Sequence, residues 1–172
     1  MSQIVDTALM DLDLDPDDFD LSIGLGGVNS VAGDAQLLSH VLHNLVGNAV
    51  KFSRAGSRPA IGIEARSLDA EQVEISVSDN GIGIEPQFSD RVFDMLYRLH
   101  NDDEYEGTGI GLSVCRKIIR DHGGQIWIDP AYQEGTRVVF TLLTSQREVE
   151  PAGDWGIVPT RDVSGATCLS AM

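Results

Sequence analysis

Helical periodicity between Asp34 and Lys51 constrains the fold of this chain more than any other feature of its sequence. Asp34 follows Gly33 and can cap the start of a helix with its carboxylate. Apolar residues then recur every three or four positions along one face, at Leu38, Val41, Leu42, Leu45, Val46, Ala49 and Val50. The pattern predicts a long helix with one buried face.

Alternating apolar and polar runs, bounded by turn residues, predict strands further along the chain. The elements predicted after the first helix are a hairpin of strands at 59–66 and 72–79, a short helical piece at 91–99, a helix from a glycine cluster to His122, and strands at 125–129 and 135–143.

The length of 172 residues suits one well-buried domain. We expect this domain at 34–144, preceded at 1–33 by a helix, an acidic linker and a first strand. A polar tail at 145–172, expected to be mobile, follows it. The acidic stretch at 11–18 lacks the turn glycine and the final glutamate of a calcium loop, so we interpret it as a solvated linker.

Charge and composition exclude some classes of function. A formal net charge of −15 argues against nucleic acid as a partner, because phosphate backbones are bound by basic surfaces. The sequence has no apolar run long enough to cross a bilayer and no secretory signal at its start, so we expect a cytoplasmic protein. Cys115 and Cys168 show no zinc-site spacing and do not indicate a disulfide framework.

Asn44, Asn48 and Lys51 fall on one stripe of the predicted helix, away from its apolar face. Asparagine is a poor helix former, so two of them on one stripe indicate a function. Carboxamide oxygens can bind Mg²⁺ without adding charge beside a polyphosphate, and a nearby lysine can neutralise phosphate oxygens. The alternative is an ordinary polar helix face.

Asp79 ends the second predicted strand and shares the parity of apolar residues such as Val77, so its carboxylate points to the apolar side. A buried carboxylate needs hydrogen-bond donors, and the exocyclic amine of adenine would be one. Gly81 and Gly83 permit a tight turn and a close backbone approach. The alternative is a simple turn between strands, but the second glycine and the parity favour binding.

A second glycine cluster opens the helix that ends near His122. Its residues are Gly107, Thr108, Gly109, Ile110, Gly111 and Leu112. Alternate glycines expose successive backbone N–H groups where a helix begins, and the helix dipole there favours phosphate. The cluster does not follow a predicted strand and lacks the Gly-Lys-Ser/Thr ending, which argues against a dinucleotide fold and a P-loop.

The segment at 85–106, between the glycine clusters, combines a small apolar set with a charged loop. The apolar set is Phe93, Met95, Leu96 and Leu99. Such a segment suits a lid that closes over a bound nucleotide, and an ordinary surface loop is the alternative.

In their order and spacing, these four features resemble the nucleotide-binding motifs of the histidine-kinase ATPase domain. The similarity runs from Asp34 to Leu143, and the stretches at 97–100 and 103–112 resemble phytochrome-type kinases in particular. The resemblance implies an α/β sandwich with a flexible ATP lid, in which helices cover one face of a mixed sheet, as in DNA gyrase. ATP and Mg²⁺ are the cofactors it implies.

The resemblance also implies roles for single residues near the phosphates. Asn48 would bind Mg²⁺, with Asn44 and Lys51 taking catalytic roles beside it. Arg98 would lie near the terminal phosphate, and residues 107–112 would hold phosphates through their backbone amides.

At the base, Asp79 would read the adenine amine, and Gly81 and Gly83 would line the pocket. Phe93 would belong to the lid region. Met95 and Leu96 depart from the family, because many members have a proline and an aromatic residue there.

The acceptor histidine of the family is missing from this sequence. Its histidines are His40, His43, His100 and His122, and none has the sequence setting of a phospho-acceptor. The resemblance therefore implies a histidine kinase whose substrate histidine lies on a separate dimerisation domain, with a response regulator downstream and an isolated domain that is monomeric. Two alternatives share the fold: a serine kinase of the anti-sigma-factor type and a nucleotide sensor without catalysis.

Overall fold

The computed structural model describes residues 1–10, 12, 18–97 and 109–145. Its helices are α1 (Ser2–Met10), α2 (Ala35–Lys51) and α3 (Gly111–Asp121). Its strands are β1 (Asp20–Gly24), β2 (Ala60–Ser67), β3 (Gln72–Asp79), β4 (Ile126–Ile128) and β5 (Arg137–Leu143). Two single turns of 3-10 helix, Pro86–Phe88 and Arg91–Phe93, lie between β3 and α3. None of the helices in this described part is long and apolar enough to cross a membrane.

The strands form one mixed sheet in the order β1-β2-β3-β5-β4. β1 runs parallel to β2, and the other neighbouring strands are antiparallel. The predicted hairpin is confirmed, with Ile63 opposite Val77 in its register. β5 inserts between β3 and β4, so the start of the last long strand lies beside the end of β3 at Asp79.

The helices cover one face of this sheet, as the resemblance implies. Alternate residues of β2, β3 and β5 meet the apolar face of α2 and the inner side of α3 in a single core. Its most deeply buried members include Leu42, Val46, Ile63, Ile75, Cys115, Ile119 and Phe140. α1 packs against α2 as well, where the Ser39 hydroxyl donates to the Ile4 carbonyl oxygen over 3.1 Å.

α2 begins at its predicted cap and is bonded there to the far end of α3. The Asp34 carboxylate accepts the backbone N–H groups of Gln36 and Leu37. The Asp34 N–H donates to Nε2 of His122 at 3.0 Å, so the ring proton lies on Nδ1, 2.7 Å from the Ile118 carbonyl oxygen. His122 therefore links the start of α2 to the end of α3.

As far as the structure describes that segment, the short helical piece expected at 91–99 is confirmed only at its start. Only Arg91–Phe93 forms a helical turn, because Asp94 is extended and Leu96 has a left-handed φ of 63°. The apolar set proposed there is corrected too: Phe93 is buried, whereas Met95 and Leu96 are 72% and 67% exposed. The change of backbone direction after Phe93 turns Met95 and Leu96 away from the core.

Candidate functional site

The α2 stripe of Asn44, Asn48 and Lys51 is half-buried, as one face of a partly covered helix should be. The Asn44 side-chain N–H donates to the His40 carbonyl oxygen over 2.9 Å, so this carboxamide is oriented by its own helix. Lys51 Nζ lies 4.6 Å from the centroid of the Phe52 ring. The Asn48 carboxamide makes no hydrogen bond to the other described residues, which leaves its oxygen available to a ligand.

The start of α3 comes directly against this stripe. A Cβ placed on Gly111 would lie 2.8 Å from Asn44 Oδ1, so a larger residue there would displace the Asn44 side chain. Gly109 turns the chain into the helix with a φ of +68°. Ile110, the N-cap residue, is partly exposed and makes no capping hydrogen bond with its side chain, and Leu112 is half-buried.

This start of α3 contrasts with that of α2, whose first amides are capped by Asp34. The first amides of a helix have no partner within the helix, and the positive end of the helix dipole lies there. Together with the amides of the preceding turn, the start of α3 is therefore suited to bind an anion beside Asn44.

Asp79 lies near the C-terminal end of α2, where its carboxylate is held by the backbone. Its Oδ1 accepts the N–H groups of Gly81 at 2.8 Å and Thr136 at 3.0 Å. Its Oδ2 accepts no hydrogen bond from the described residues. One oxygen is thus fixed by the fold, and the other is left for a donor from outside.

Glycines allow the backbone to close around this carboxylate. A Cβ on Gly135 would lie 2.7 Å from Asp79 Oδ1, and a Cβ on Gly81 would lie 2.4 Å from the Phe52 carbonyl oxygen. Gly83 has a φ of +79°, which completes the turn that follows. The predicted glycines Gly81 and Gly83 therefore lie beside Asp79.

Burial raises the pKa of Asp79, although the Thr136 and Gly81 amides and the positive charge of Arg54 oppose that rise. The carboxylate is therefore partly desolvated and has hydrogen-bond donors on one side only. Such a group favours a ligand that brings its own N–H donor to the other side.

α2 connects the two parts of the site. Its C-cap residue Phe52 accepts the Ile82 N–H at 3.0 Å, so the turn after Asp79 is bonded to the end of α2. Asn44 meets α3 eight residues earlier, which is about 12 Å along the helix axis. The carboxylate of Asp79 and the start of α3 thus lie at two ends of one surface, with Asn48 and Lys51 between them.

Sequence reasoning did not assign a role to three residues of this site. Gly135 and Thr136 meet Asp79 from the start of β5, and Arg54 donates to the carbonyl oxygens of Gly81 and Glu134. A signal for Gly135 was present, because a glycine directly before a long strand suggests a close approach. No local pattern signals Arg54.

Phe93 lies in the core, 3% exposed, and not on the surface of the site. The guanidinium carbon of Arg116 is 4.7 Å from its ring centroid, and Arg116 donates to the Asp90 carbonyl oxygen. Phe93 therefore anchors the segment after β3 to α3. Arg98, Gly107, Thr108 and the charged loop at 101–106 lie outside the described residues.

The donor set suits a metal that arrives with a nucleotide. In the described ranges, no three His, Cys, Asp or Glu side chains come together as a metal site. The uncommitted amide oxygen of Asn48 is a ligand that Mg²⁺ accepts, and one neutral ligand leaves the remaining positions to phosphate oxygens and water. These residues fit Mg²⁺ held mainly by a polyphosphate.

The uncovered face of the sheet carries a separate groove of about 720 Å³. Trp127, Glu74 and Arg137 contribute to its walls, and the residues predicted for the site do not. The groove therefore has no part in the surface built around α2.

Comparison with known families identifies one that matches most of the chain. Residues 33–146 match the model described as histidine kinase-, DNA gyrase B- and HSP90-like ATPase. The match covers α2, α3, β2 to β5 and all of the site residues described above.

Curated relatives include phytochromes and adaptive-response sensory kinases. Cyanobacterial phytochrome A of Nostoc sp. is 48% identical over 120 residues, which are 70% of this chain and 15% of the relative. Phytochrome-like protein Cph1 of Synechocystis sp. is 39% identical over 83% of this chain and 19% of its own length. The adaptive-response sensory kinase SasA of Rippkaea orientalis is 40% identical over 67% of this chain and 29% of its own. The chain thus spans less than a third of each of these proteins.

Solved structures give the same result for the fold. A mycobacterial sensor histidine kinase, MprB, superposes with a TM-score of 0.71 at 26% identity, covering 84% of this chain and 94% of that one. The nucleotide-free catalytic domain of histidine kinase ThkA superposes with a TM-score of 0.70 at 26% identity, covering 84% and 92%.

Proposed function

The chain belongs to the histidine kinase-, DNA gyrase B- and HSP90-like ATPase family, and from this premise we propose that it binds ATP with Mg²⁺ and transfers the γ-phosphoryl group to a histidine on a separate dimerisation domain. It is a histidine kinase-like ATPase domain whose relatives are sensor kinases. The observation that carries the proposal is a pair of features along α2: a half-bonded Asp79 carboxylate beside the C-terminal end of the helix, and a start of α3 without a side-chain cap beside Asn44.

Asp79 orients the base in this proposal. Its Oδ2 accepts the exocyclic amine of adenine, while Oδ1 stays bonded to the backbone of Gly81 and Thr136. Guanine presents a carbonyl oxygen at the equivalent position, so a carboxylate there repels it and selects adenine.

The phosphates extend along α2 to the start of α3. Backbone N–H groups of residues 109–112 donate to them, and Lys51 supplies positive charge beside them. Asn48 would hold Mg²⁺, which when bound neutralises charge on the phosphates. Asn44 positions the backbone amides at the start of α3 through its contact with Gly111.

Transfer forms a bond between an imidazole nitrogen of the acceptor and the γ-phosphorus. It breaks the bond from that phosphorus to the β,γ-bridging oxygen, ADP leaves, and the proton of the phosphorylated imidazole passes to solvent. Asn44 cannot accept a proton at neutral pH, so activation of water is weak and the general-base contribution of about 10²–10⁴-fold is missing. The chain should therefore keep the γ-phosphoryl group of ATP from water until the acceptor histidine arrives. The phosphorylated acceptor would later pass this group to a response regulator.

The test mixes the 172-residue chain with labelled ATP, Mg²⁺ and a separately purified dimerisation domain carrying an acceptor histidine from a phytochrome-type relative. We expect acid-labile phosphohistidine on that domain, lost with Asn48→Ala or with a chelator, and slow ATP hydrolysis by the chain alone. Acid-stable phosphoserine would favour the serine-kinase alternative. ATP binding without any transfer would favour a nucleotide sensor, and phosphohistidine on the chain itself would contradict the proposal.

A further inference from the structure

Arg54 lies in the loop after α2 and bonds to both segments that surround Asp79. Its Nε donates to the Gly81 carbonyl oxygen at 3.0 Å, and its Nη2 donates to the Glu134 carbonyl oxygen at 3.0 Å. Gly81 supplies one of the amides that hold Asp79 Oδ1, and Thr136, two residues after Glu134, supplies the other. One guanidinium thus ties together the two pieces of backbone that aim the carboxylate.

We propose that Arg54 is a positioning residue for adenine recognition, because its guanidinium fixes the turn after β3 and the start of β5 in the arrangement that leaves Asp79 Oδ2 open to the base. The inference rests on the proposed function, since it concerns the same base site. A planar fork with several donors can meet two carbonyl oxygens at once, which a lysine ammonium on a flexible chain does not reproduce.

Arg54 also places a positive charge near Asp79, and this gives its role a pH signature. Burial raises the pKa of Asp79, and Thr136, Gly81 and Arg54 lower it in that order of effect. Among the described residues, Tyr132 is a further ionisable neighbour: burial and the carboxylates of Glu134 and Asp79 raise its pKa, and Arg137 opposes that rise. Among the described residues, Arg54 therefore supplies the positive charge that opposes the rise in the Asp79 pKa.

The sign of the pH effect follows from the hydrogen bond to the base. A protonated Asp79 would present an O–H group in place of an acceptor, so adenine binding falls as the pH drops through the Asp79 pKa. Removing the charge of Arg54 raises that pKa, and the fall then begins at a higher pH.

Three variants separate position from charge. Arg54→Lys keeps the charge and loses the double donation, whereas Arg54→Met loses both. Arg58→Met is the matched control, because Arg58 lies in the same loop and its guanidinium bonds to Asp20 and Phe19, away from Asp79, while the Arg58 carbonyl that accepts from Asn80 is kept. It removes the same charge from the protein without touching the base site.

The experiment is calorimetric titration of the whole chain with ATP and Mg²⁺ between about pH 5 and 8. Arg54→Lys loses hydrogen bonds from a charged donor, so its affinity for ATP should be about fivefold weaker. The pH at which its affinity falls should stay that of the unaltered chain. In Arg54→Met the affinity for ATP should be about tenfold weaker, and its fall at low pH should begin at a higher pH. Arg58→Met should match the unaltered chain.

Coincident curves for Arg54→Met and Arg58→Met would overturn this inference alone, provided that the unaltered chain binds ATP. The same holds if the loss in Arg54→Met is equal at every pH and accompanies a lower melting temperature, since Arg54 would then serve only the fold. If the unaltered chain does not bind ATP at any pH, the proposed function fails and this inference fails with it.

Discussion

The base end of the candidate site, formed by Asp79, Gly81, Gly135 and Thr136, and its phosphate end, formed by Asn44, Asn48 and residues 109–112, are built by different contacts. At the base end, backbone amides hold the carboxylate oxygen at 2.8 and 3.0 Å. At the phosphate end, two helices meet where Gly111 leaves room for Asn44. The first is a hydrogen-bonded unit, and the second is a product of helix packing.

This difference determines how far away a mutation can act. The base end depends on β3, β5 and the loop that carries Arg54, which are joined within the sheet. The phosphate end depends on how α3 packs on α2, and that packing is fixed partly by Cys115 in the core and by His122 at the other end of α3. Distant changes in the helix pair should therefore reach the phosphate end and spare the base end.

The largest effect is expected at the base end, from Asp79→Asn. The amide oxygen can still accept from Gly81 and Thr136, but the amide nitrogen then faces the adenine amine, donor against donor. A mismatched polar pair of this kind should weaken ATP about 10- to 100-fold in a calorimetric titration. Unchanged affinity would contradict the assignment of Asp79 to adenine.

Stability serves as the control for that variant. Because burial raises the Asp79 pKa, the folded protein binds this proton more tightly than the unfolded chain. Its contribution to the free energy of unfolding therefore falls as pH rises from the ordinary aspartate pKa to the raised one. Asp79→Asn should lack this fall and be no less stable at neutral pH, so a loss of binding would not reflect unfolding.

The next largest effect is expected at the phosphate end, from Gly111→Ala. The new methyl group would lie 2.8 Å from Asn44 Oδ1, so the Asn44 side chain must move and lose its bond to His40. We expect ATP with Mg²⁺ to bind about three- to tenfold more weakly, since one hydrogen bond and its alignment are lost.

A double-mutant cycle isolates that contact. In an Asn44→Ala background the methyl group has no side chain to displace, so Gly111→Ala should then leave ATP affinity unchanged. Equal losses in both backgrounds would mean that the contact between the helices does not set the phosphate end.

The same division explains what the sequence could predict. The cap at Asp34, the hairpin and α3 depend on neighbouring residues, and local patterns predicted them. Thr136 holds Asp79 from 57 residues away, and this pairing depends on the insertion of β5 beside β3, which no local pattern contains. Arg54 was missed for the same reason.

The spacing of apolar residues also failed to predict the structure at 93–96, where the backbone leaves the helical conformation. The apolar residues at 93–96 were expected in a short helical piece at 91–99, but Leu96 takes a left-handed φ of 63° and is exposed with Met95. By contrast, the asparagines of α2 could be predicted because their helix is regular and their residue type is unusual there.

A smaller effect on ATP, with a clear effect on stability, is expected from His122→Ala. The variant loses the acceptor for the Asp34 N–H and the donor to Ile118, two hydrogen bonds worth about 1–2 kcal/mol of unfolding free energy together. Chemical denaturation measures this loss. ATP affinity should fall at most about threefold, because the base end does not depend on this link. A loss as large as that of Asp79→Asn would break the distinction between the two ends.

The reactivity of Cys115, which involves no nucleotide, reports on the helix pair directly. Burial raises the pKa of Cys115 to about 12, and its Sγ lies 3.9 Å from the Val41 carbonyl oxygen of α2. At pH 8 about one thiol in ten thousand is then ionised, compared with about a quarter for an exposed cysteine. In a Cys168→Ser background, a thiol reagent should therefore modify Cys115 only when α3 separates from α2 or the chain unfolds.

Labelling rates can then separate the two ends without any nucleotide. His122→Ala weakens the attachment of α3, so opening becomes more frequent and labelling should be about five- to thirtyfold faster, in proportion to the stability lost. Asp79→Asn changes the base end alone and should label at the rate of the unaltered chain. If both variants label equally fast, α2 and α3 open together with the sheet, and the phosphate end is no more sensitive to helix packing than the base end.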